Sequence, residues 1–240
     1  MNEAPKVSVI MPSLNVAPYI RQCLDSVLCQ TLRDIEILCV DAGSTDGTAE
    51  ILREYAERDP RVTVIVSDRK SYGYQMNLGM DAAKGRYMGI VETDDWAEPD
   101  MFGTLFAAAE ADSLDVAKAG YYLYYAEPEE MSTECAVTSE VFSRRVFCPR
   151  TDFASPLEQA EFYNMVPSIW SAIYSLEFLR RNGIRFHETP GASFQDLSFT
   201  FKVFALANRV RLLEGCYLHY RQDNPESSIH STGKVYCVTR

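Results

Sequence analysis

Two adjacent carboxylates follow a short apolar segment of the sequence. Residues 87–91 read YMGIV, and Glu92, Asp94 and Asp95 come directly after them. Carboxylate oxygens at a strand end suit a divalent cation such as Mg²⁺, which takes one or two carboxylates and completes its coordination with phosphate oxygens and water. A bound cation would also let an anionic ligand approach this acidic stretch. The alternative is that Asp94 and Asp95 are solvated and cap the helix that follows.

A second polar cluster is VDAGSTDGT at residues 40–48. Asp41 ends an apolar run, Gly43 permits an unusual backbone conformation, and residues 44–46 are natural turn and cap formers. At a strand end, Asp41 would be able to accept a hydrogen bond from a nucleobase N–H or a ribose hydroxyl. Taken alone, the loop favours the simpler interpretation of a tight connection between a strand and a helix.

The elements that must position these residues alternate along the first hundred positions. Apolar β-branched runs predict strands at 7–11, 35–40, 62–66 and 87–91, and helical spacing predicts helices from Pro18, over 48–58 and over 74–84. This alternation predicts a parallel sheet with helices on both of its faces. Ligands of such sheets bind beyond the carboxyl ends of the strands. Residues 12–15, 41–46 and 94–95 all fall there.

The pattern changes in the second half of the chain. We predict a helix from near Glu98, a strand over 114–125, and loop with short strands over 126–153. Residues 155–182 predict helix in two pieces around the sequence PSIW, residues 193–208 predict one more helix, and KVYCV near the end predicts a strand. The chain stops soon after that strand, which leaves open that it is a fragment of a longer protein.

Composition limits the classes of function. The 240 residues, 47% of them hydrophobic, suffice for one large domain or a domain with a lobe. A net charge of -11 argues against a nucleic-acid partner, because phosphate binding needs clustered Lys and Arg. The seven cysteines include no CxxC pair, which predicts reduced thiols and a cytoplasmic protein. No apolar run approaches the roughly 18 residues of a membrane helix, so membrane contact is expected to be peripheral at most, at the inner face.

Three stretches taken together resemble family 2 glycosyltransferases with the GT-A fold. They are VSVIMPSLNVAPYIRQCLDSVLCQTLRDIEILCVDAGSTDGT, then GYQMNLGMDAAKGRYMGIVETDDWAEPDMF, and finally FQDLSFTFKVF with YRQDNPESSIHS. The resemblance covers most of the first 110 residues and returns in pieces after residue 190. It implies an α/β fold with a Rossmann-like, mostly parallel central sheet. Residues 1–112 would be the nucleotide-sugar-binding half and residues 113–240 the acceptor-binding half of the same domain.

The resemblance also implies an activity. Members of the family invert the anomeric centre as they transfer a sugar from a nucleotide diphosphate donor, usually with Mn²⁺ or Mg²⁺. The implied partners are a nucleotide sugar, with a UDP-sugar favoured, and a saccharide or lipid-linked saccharide acceptor. Synthesis of a cell-surface or capsular polysaccharide is the implied setting.

Roles carry over position by position. Asp196 matches the general base, Asp95 would hold the metal, and Asp94 would lie against the ribose or the sugar. The implied donor-binding residues are Pro12, Ser13, Asn15, Asp41, Asn77, Asp94 and Arg221.

Two further segments are open to more than one interpretation. Arg221, Ser227, Ser228 and His230 fall in a stretch that resembles a flexible loop closing over the diphosphate, although ordinary surface contacts are the simpler assignment. Trp170, after Pro167 and Ser168, falls where the family shapes the acceptor site, and it is equally a candidate core residue.

Three positions depart from the family pattern. Ala42 replaces an acidic residue that often contacts uracil, Met76 replaces an Arg that often precedes the Asn, and Gln195 replaces a Glu before the base. The main alternative is therefore a non-catalytic relative that binds sugar nucleotides as a scaffold. Retention of Asp94, Asp95 and Asp196 favours the enzyme.

Overall fold

The computed structural model describes residues 4–126, 129–138, 142, 145–165, 168–192, 194–225 and 227. Its first part consists of β1 (Val7–Ser13), α1 (Ile20–Leu28), β2 (Ile35–Asp41), α2 (Thr48–Arg58), β3 (Val62–Val66), α3 (Tyr72–Ala82) and β4 (Tyr87–Ile90). The four strands are parallel in the order β3-β2-β1-β4, with Val9 beside Ile37 on one side and Gly89 on the other. The predicted alternation of parallel strands and connecting helices is confirmed.

The second part extends the same sheet. It consists of β5 (Trp96–Ala97), α4 (Met101–Asp112), β6 (Val116–Tyr125), β7 (Met131–Cys135), α5 (Pro156–Met165), β8 (Ala172–Ser175), α6 (Leu176–Arg181), α7 (Gln195–Leu206) and β9 (Val210–Arg221). The described strands form one sheet in the order β3-β2-β1-β4-β8-β6-β9-β5, and β7 pairs with β6. β8 runs antiparallel to both β4 and β6, so the sheet is mixed where its two parts join.

Strand β8 corrects the helical prediction for residues 172–175. Ala172, Ile173 and Tyr174 are buried, and their strand lies between β4 and β6. A strand buried on both faces gives a short continuous apolar run without period-2 alternation, and such a run cannot be distinguished from helix by pattern. The two helical pieces predicted around it do form, as α5 and α6.

Strand β9 is an element that the sequence pattern did not predict. Its pairing with β6 shifts register between Lys118 and Tyr122, and Gly215 within it has φ +93°. A β-bulge interrupts the alternation of inward and outward side chains, which is the signal that marks a strand in the sequence. The predicted KVYCV strand lies outside the described residues.

Close contacts fix two helices on the sheet. A Cβ atom at Gly79 of α3 would lie 2.6 Å from Ile10 Cγ2, and one at Gly89 of β4 would lie 2.4 Å from Phe102 Cε1. Only glycine permits these approaches, which hold α3 and α4 near the strands that end at the site. Among the described residues, no helix has both the length and the apolar composition needed to cross a bilayer.

Candidate active site

A cavity of about 570 Å³ lies at the carboxyl ends of β1 and β4. It is bordered by the segments after these strands, the start of α3, the residues before β8, the start of α7 and the residues around the end of β9. The predicted site residues on its wall are Pro12, Ser13, Asp94 and Asp196. The predicted residues that are not part of its described wall are Asn15, Asp41, Asn77, Asp95 and Arg221.

Asn15 joins the loops that follow β1 and β2. Its backbone N–H donates to Ser44 Oγ at 2.9 Å, and its Oδ1 accepts from the Thr45 N–H at 2.9 Å. Asn15 has φ +54°, in the left-handed region that Asn tolerates better than most residues. Asp46 adds a second link, because its Oδ2 accepts from the Ala17 N–H at 2.9 Å. Asn15 thus holds the loop after β1, whose Leu14 and Val16 line the cavity, and the contact of Asn15 with a donor stays a prediction.

Asp41 organises the turn after β2. Its Oδ2 accepts from the N–H groups of Gly43 and Ser44, both at 3.1 Å, and its Oδ1 accepts from Ser44 Oγ at 2.5 Å. The carboxylate is buried, and Gly43 has φ +79°. This is the tight strand-to-helix connection that the loop sequence favours. Recognition of a nucleoside by Asp41 stays a prediction.

Three carboxylates from different elements share the cavity. Glu92 and Asp94 lie after β4, and Asp196 lies in the first turn of α7. Burial raises the pKa of Glu92 to about 8, with Asp94 and Asp196 adding to the rise and the Tyr72 hydroxyl, which donates to Glu92 Oε1 at 2.5 Å, opposing it. Burial also raises the pKa of Asp196, against the effect of the N–H groups of Leu197 and its own backbone. The cavity therefore disfavours the ionised forms of Glu92 and Asp196.

Asp95 is separated from its neighbour Asp94. The Asp95 carboxylate is buried, its Oδ1 accepts from the Arg221 N–H at 2.9 Å, and its Oδ2 has no hydrogen-bond partner among the described residues. Burial, with the nearby charge of Asp94, raises the pKa of Asp95 well above its usual range. The structure does not bring Asp95 to the cavity wall. The assignment of the metal to Asp95 stays a prediction.

Arg221 and Asn224 fix Asp94 from the end of β9. Arg221 Nε donates to the Asp94 carbonyl oxygen at 3.0 Å, and its side chain also donates to Gln22 Oε1 at 2.7 Å. Asn224 Nδ2 donates to Asp94 Oδ2 at 2.8 Å. Arg221 is buried, so in this structure it braces the acidic loop, and its contact with a donor stays a prediction.

Asn77 ties α3 to the segment that leads toward α7. Its Oδ1 accepts from the Phe186 N–H at 3.0 Å, and its Nδ2 donates to the Phe186 carbonyl oxygen at 3.0 Å and to Glu188 Oε1 at 3.0 Å. The amide is buried and occupied by these three hydrogen bonds. The structure places Asn77 as a brace behind the cavity, and its contact with a donor stays a prediction.

Gln195 holds the next part of the same segment. Its Nε2 donates to Thr189 Oγ1 at 2.8 Å and to the carbonyl oxygens of Gly191 at 3.0 Å and Thr189 at 3.3 Å. A carboxylate accepts hydrogen bonds and cannot donate them, so a Glu at this position could not serve the two carbonyl groups. The departure from the family pattern at Gln195 thus has a structural reason.

Residues of α3 on the cavity wall were missed by the sequence reasoning. Tyr72 contacts Glu92, and Gln75 Nε2 donates to the carbonyl oxygens of Ser13 at 3.0 Å and Val40 at 2.7 Å. Gln75 thereby joins the ends of β1 and β2 beneath the cavity. The sequence did contain a signal for this pair, because Tyr72 and Gln75 are three residues apart and residues at that spacing share a face of a helix.

The opposite wall is largely aromatic. Trp170 and Tyr220 both line the cavity with ring centroids 4.9 Å apart, and Tyr121 packs on Trp170 at 4.6 Å. Ser227 also lines the cavity, and Phe194 lies at its edge with half of its surface exposed. Pro167, Ser228 and His230 lie outside the described residues.

The carboxylates on the cavity wall are candidate ligands for a divalent metal ion. Glu92, Asp94 and Asp196 line the cavity with Lys70 as the cationic side chain among the described lining residues. No three His, Cys, Asp or Glu side chains of the described residues converge as a closed metal site. Mn²⁺ and Mg²⁺ sites that bind nucleotides commonly use one or two carboxylates and take the remaining ligands from phosphate oxygens and water. Glu92 and Asp94 fit that donor set.

Comparison with known proteins identifies the family. The model described as Glycosyl transferase family 2 matches residues 8–164. The chain belongs to glycosyltransferase family 2. The curated relatives of this family-2 chain include the uncharacterized glycosyltransferase EpsJ of Bacillus subtilis, which is 34% identical over 224 residues. The match covers 93% of this chain and 62% of EpsJ, so the chain spans about three fifths of that relative's length.

Solved structures place this family-2 chain in the GT-A fold. TarS of S. aureus in complex with UDP-GlcNAc superimposes with a TM-score of 0.74 at 22% identity, covering 95% of this chain and 62% of TarS. The mannosyltransferase PcManGT of Pyrobaculum calidifontis, in complex with GDP-Man and Mn²⁺, gives a TM-score of 0.63 at 20% identity, covering 95% and 59%. The predicted fold is confirmed, whereas the division at residue 112 between donor and acceptor halves stays a prediction.

Proposed function

We propose that this protein transfers a sugar from a nucleotide diphosphate donor to a hydroxyl acceptor with inversion at the anomeric carbon. The observation that carries the proposal is the convergence of Asp94 and Asp196 on one cavity from different ends of the fold. Family membership and the nucleotide-sugar complexes of the GT-A neighbours support it.

The donor would lie over the ends of β1 and β4. Pro12 and Ser13 would border it on one side, and Asp94 would face its sugar or diphosphate. Asp41 would contact the nucleoside only after exchanging part of the hydrogen bonding that it now gives to its own turn. A UDP-sugar is the favoured donor, and the UDP-GlcNAc complex of TarS supports this choice.

Asp94 and Glu92 would hold the metal, in place of Asp95. Both line the cavity, whereas Asp95 is buried beside β9. When bound, Mn²⁺ or Mg²⁺ neutralises charge that develops on the leaving diphosphate. The Mn²⁺ complex of PcManGT supports this cofactor class. Binding would require loss of the proton that Glu92 holds through its raised pKa of about 8.

Asp196 would act as the general base. As the acceptor oxygen forms its bond to the anomeric carbon, its hydroxyl proton passes to the Asp196 carboxylate and the bond to the diphosphate oxygen breaks. The raised pKa of Asp196 makes it a stronger base than an exposed Asp while leaving it able to ionise. A single displacement of this kind inverts the anomeric centre.

The acceptor would be a saccharide or a lipid-linked saccharide on the side of Trp170 and Tyr220. Synthesis of a cell-surface or capsular polysaccharide, in the cytoplasm or at the inner face of the membrane, is the setting that the family resemblance suggests.

Thermal unfolding tests the donor site. UDP-, GDP-, CDP- and TDP-sugars are each added with Mn²⁺ and, separately, with EDTA. A donor at ~100 times its Kd should stabilise the native state by about 2.7 kcal/mol. We expect one nucleotide class to stabilise the protein in Mn²⁺ and to lose that effect in EDTA. No stabilisation by any donor would refute the proposal.

Turnover separates the enzyme from the scaffold alternative. Release of nucleotide from the stabilising donor is measured with a panel of saccharide acceptors, and Asp196→Asn serves as the matched control. Donor binding without sugar transfer to any acceptor, in wild type and variant alike, would favour the non-catalytic relative.

A further inference from the structure

Lys118 is a fully buried lysine in the middle of the sheet. Its Nζ donates three hydrogen bonds, each of 2.9 Å, to Ser168 O, Ser168 Oγ and Trp170 O. Burial lowers the pKa of Lys118 to about 7, and the described residues provide no carboxylate within salt-bridge distance. An ammonium group without a counter-charge is costly to bury, so its hydrogen bonds must be well satisfied.

All three acceptors belong to the short segment 168–170, which precedes β8. The carbonyl groups of this segment and of Ser171 are satisfied in turn: Ser168 and Trp170 by Lys118, Ile169 by the Tyr174 hydroxyl at 2.7 Å, and Ser171 by the Ala119 N–H at 2.9 Å. Buried carbonyl groups outside regular structure need such donors. Lys118 supplies the hydrogen-bond donor for two of these four carbonyl groups.

The same segment forms one wall of the cavity. Ile169 and Trp170 both line it, and Trp170 is only 8% exposed between Tyr121 and Tyr220. Lys118 thus holds the backbone of this wall, its Nζ lies 5.9 Å from the centroid of the Trp170 ring, and Ile169 and Trp170 line the cavity.

We propose that Lys118 is a positioning residue that fixes Ile169 and Trp170 on the acceptor side of the cavity. Its role is mechanical: the ammonium group holds the backbone of the wall and does not contact the reacting atoms. The designation of this wall as the acceptor side rests on the proposed function. A lysine that served only the stability of the core would lower the unfolding midpoint without changing the local order of the wall.

Trp170 can report on this wall directly. The sequence contains two tryptophans, so Trp96→Phe leaves Trp170 as the single emitter. In that background we compare Lys118→Met, which keeps a long side chain and removes all three donors, with Ser8→Ala. Ser8 is equally buried, but its Oγ bonds Gly85 and Glu36 near the amino end of β1, away from the cavity.

Acrylamide quenching of Trp170 is measured well below the unfolding midpoint, with far-ultraviolet circular dichroism confirming the fold. We expect the quenching constant to rise at least about twofold in Lys118→Met, because loss of local order opens the wall, and to stay at the wild-type value in Ser8→Ala. Binding of UDP with Mn²⁺ should remain within about twofold of wild type, because the donor side does not contact Lys118.

A folded Lys118→Met protein with the wild-type quenching constant would overturn the proposal. If this variant does not fold, Ser168→Ala decides, since it removes one acceptor of the ammonium group: increased quenching supports the role and no change refutes it. Failure of the wild type to bind UDP or any other nucleotide donor would refute the proposed function, while the Trp170 comparison would still decide the role of Lys118.

Discussion

The raised pKa of Glu92 predicts that the protein loses stability as the pH rises through neutrality. The unfolded chain releases the Glu92 proton near its ordinary pKa of 4.5, whereas the folded chain keeps it until about pH 8. Between these values the folded state binds more protons, so the free energy of unfolding falls as pH increases. The contribution of Glu92 is fully present below the lower pKa and is lost as the pH approaches the higher one.

Between the two pKa values, each pH unit lowers the free energy of unfolding by about 1.4 kcal/mol. Near the ends of this range the slope is smaller, so the total change between pH 5 and pH 8 is about 3.5 kcal/mol. Because Glu92 borders the cavity, where solvent screens its charge, we expect a smaller loss of unfolding free energy, about 2 to 3 kcal/mol. Glu92→Gln keeps a carbonyl acceptor for the Tyr72 hydroxyl and removes the titration. It should therefore match the wild type near pH 5 and exceed its stability near pH 8.

Urea unfolding at pH 5, 6, 7 and 8 in EDTA measures this difference. Glu57→Gln is the control, because Glu57 is an exposed carboxylate on α2 and its replacement should leave the pH dependence of the wild type unchanged. Parallel stability curves for Glu92→Gln and wild type across this range would show that the Glu92 proton is not retained on folding, and the reasoning would fail.

Three further outcomes are expected at the site. Asp196→Asn should reduce sugar transfer, measured by turnover, by about 10² to 10⁴-fold and leave donor affinity, measured by calorimetry, unchanged. Equal losses of turnover and donor affinity would contradict the role of Asp196 as general base. Gln195→Glu should lower the free energy of unfolding by about 1 kcal/mol, because the half-buried carbonyl group of Thr189 loses its donor. Asp94→Asn should weaken Mn²⁺-dependent donor binding about tenfold or more, whereas Asp95→Asn, at a residue that is not among the described lining of the cavity, should change it less. A larger loss of donor binding in Asp95→Asn than in Asp94→Asn would instead assign the metal to Asp95.

Local pattern was sufficient for the first half of the fold. The apolar runs at β1 to β4 alternate with helical spacing, and a right-handed crossover between parallel strands leaves few topologies. Pro12, Ser13 and Asp94 then fall at the ligand edge of the sheet, because ligands bind beyond the carboxyl ends of parallel strands. Neither β8 nor β9 could be obtained in this way, because one is buried on both faces and the other contains a bulge.

The separation of Asp94 from Asp95 depended on tertiary structure. The sequence presents them as an equivalent pair, and only the end of β9, more than a hundred residues later, binds the Asp95 carboxylate through the Arg221 N–H. The same holds for Asn77, whose amide is occupied by Phe186 and Glu188, more than a hundred residues later in the chain.

What the sequence by itself determined was the family, the parallel sheet and the acidic residues at its edge, because these follow from short-range periodicity and motif spacing. Only the tertiary structure decided which carboxylates face the cavity and which side chains brace it. Burial and hydrogen-bond partners, which set those roles and the pKa values of Glu92 and Asp196, arise from contacts between residues far apart in the chain.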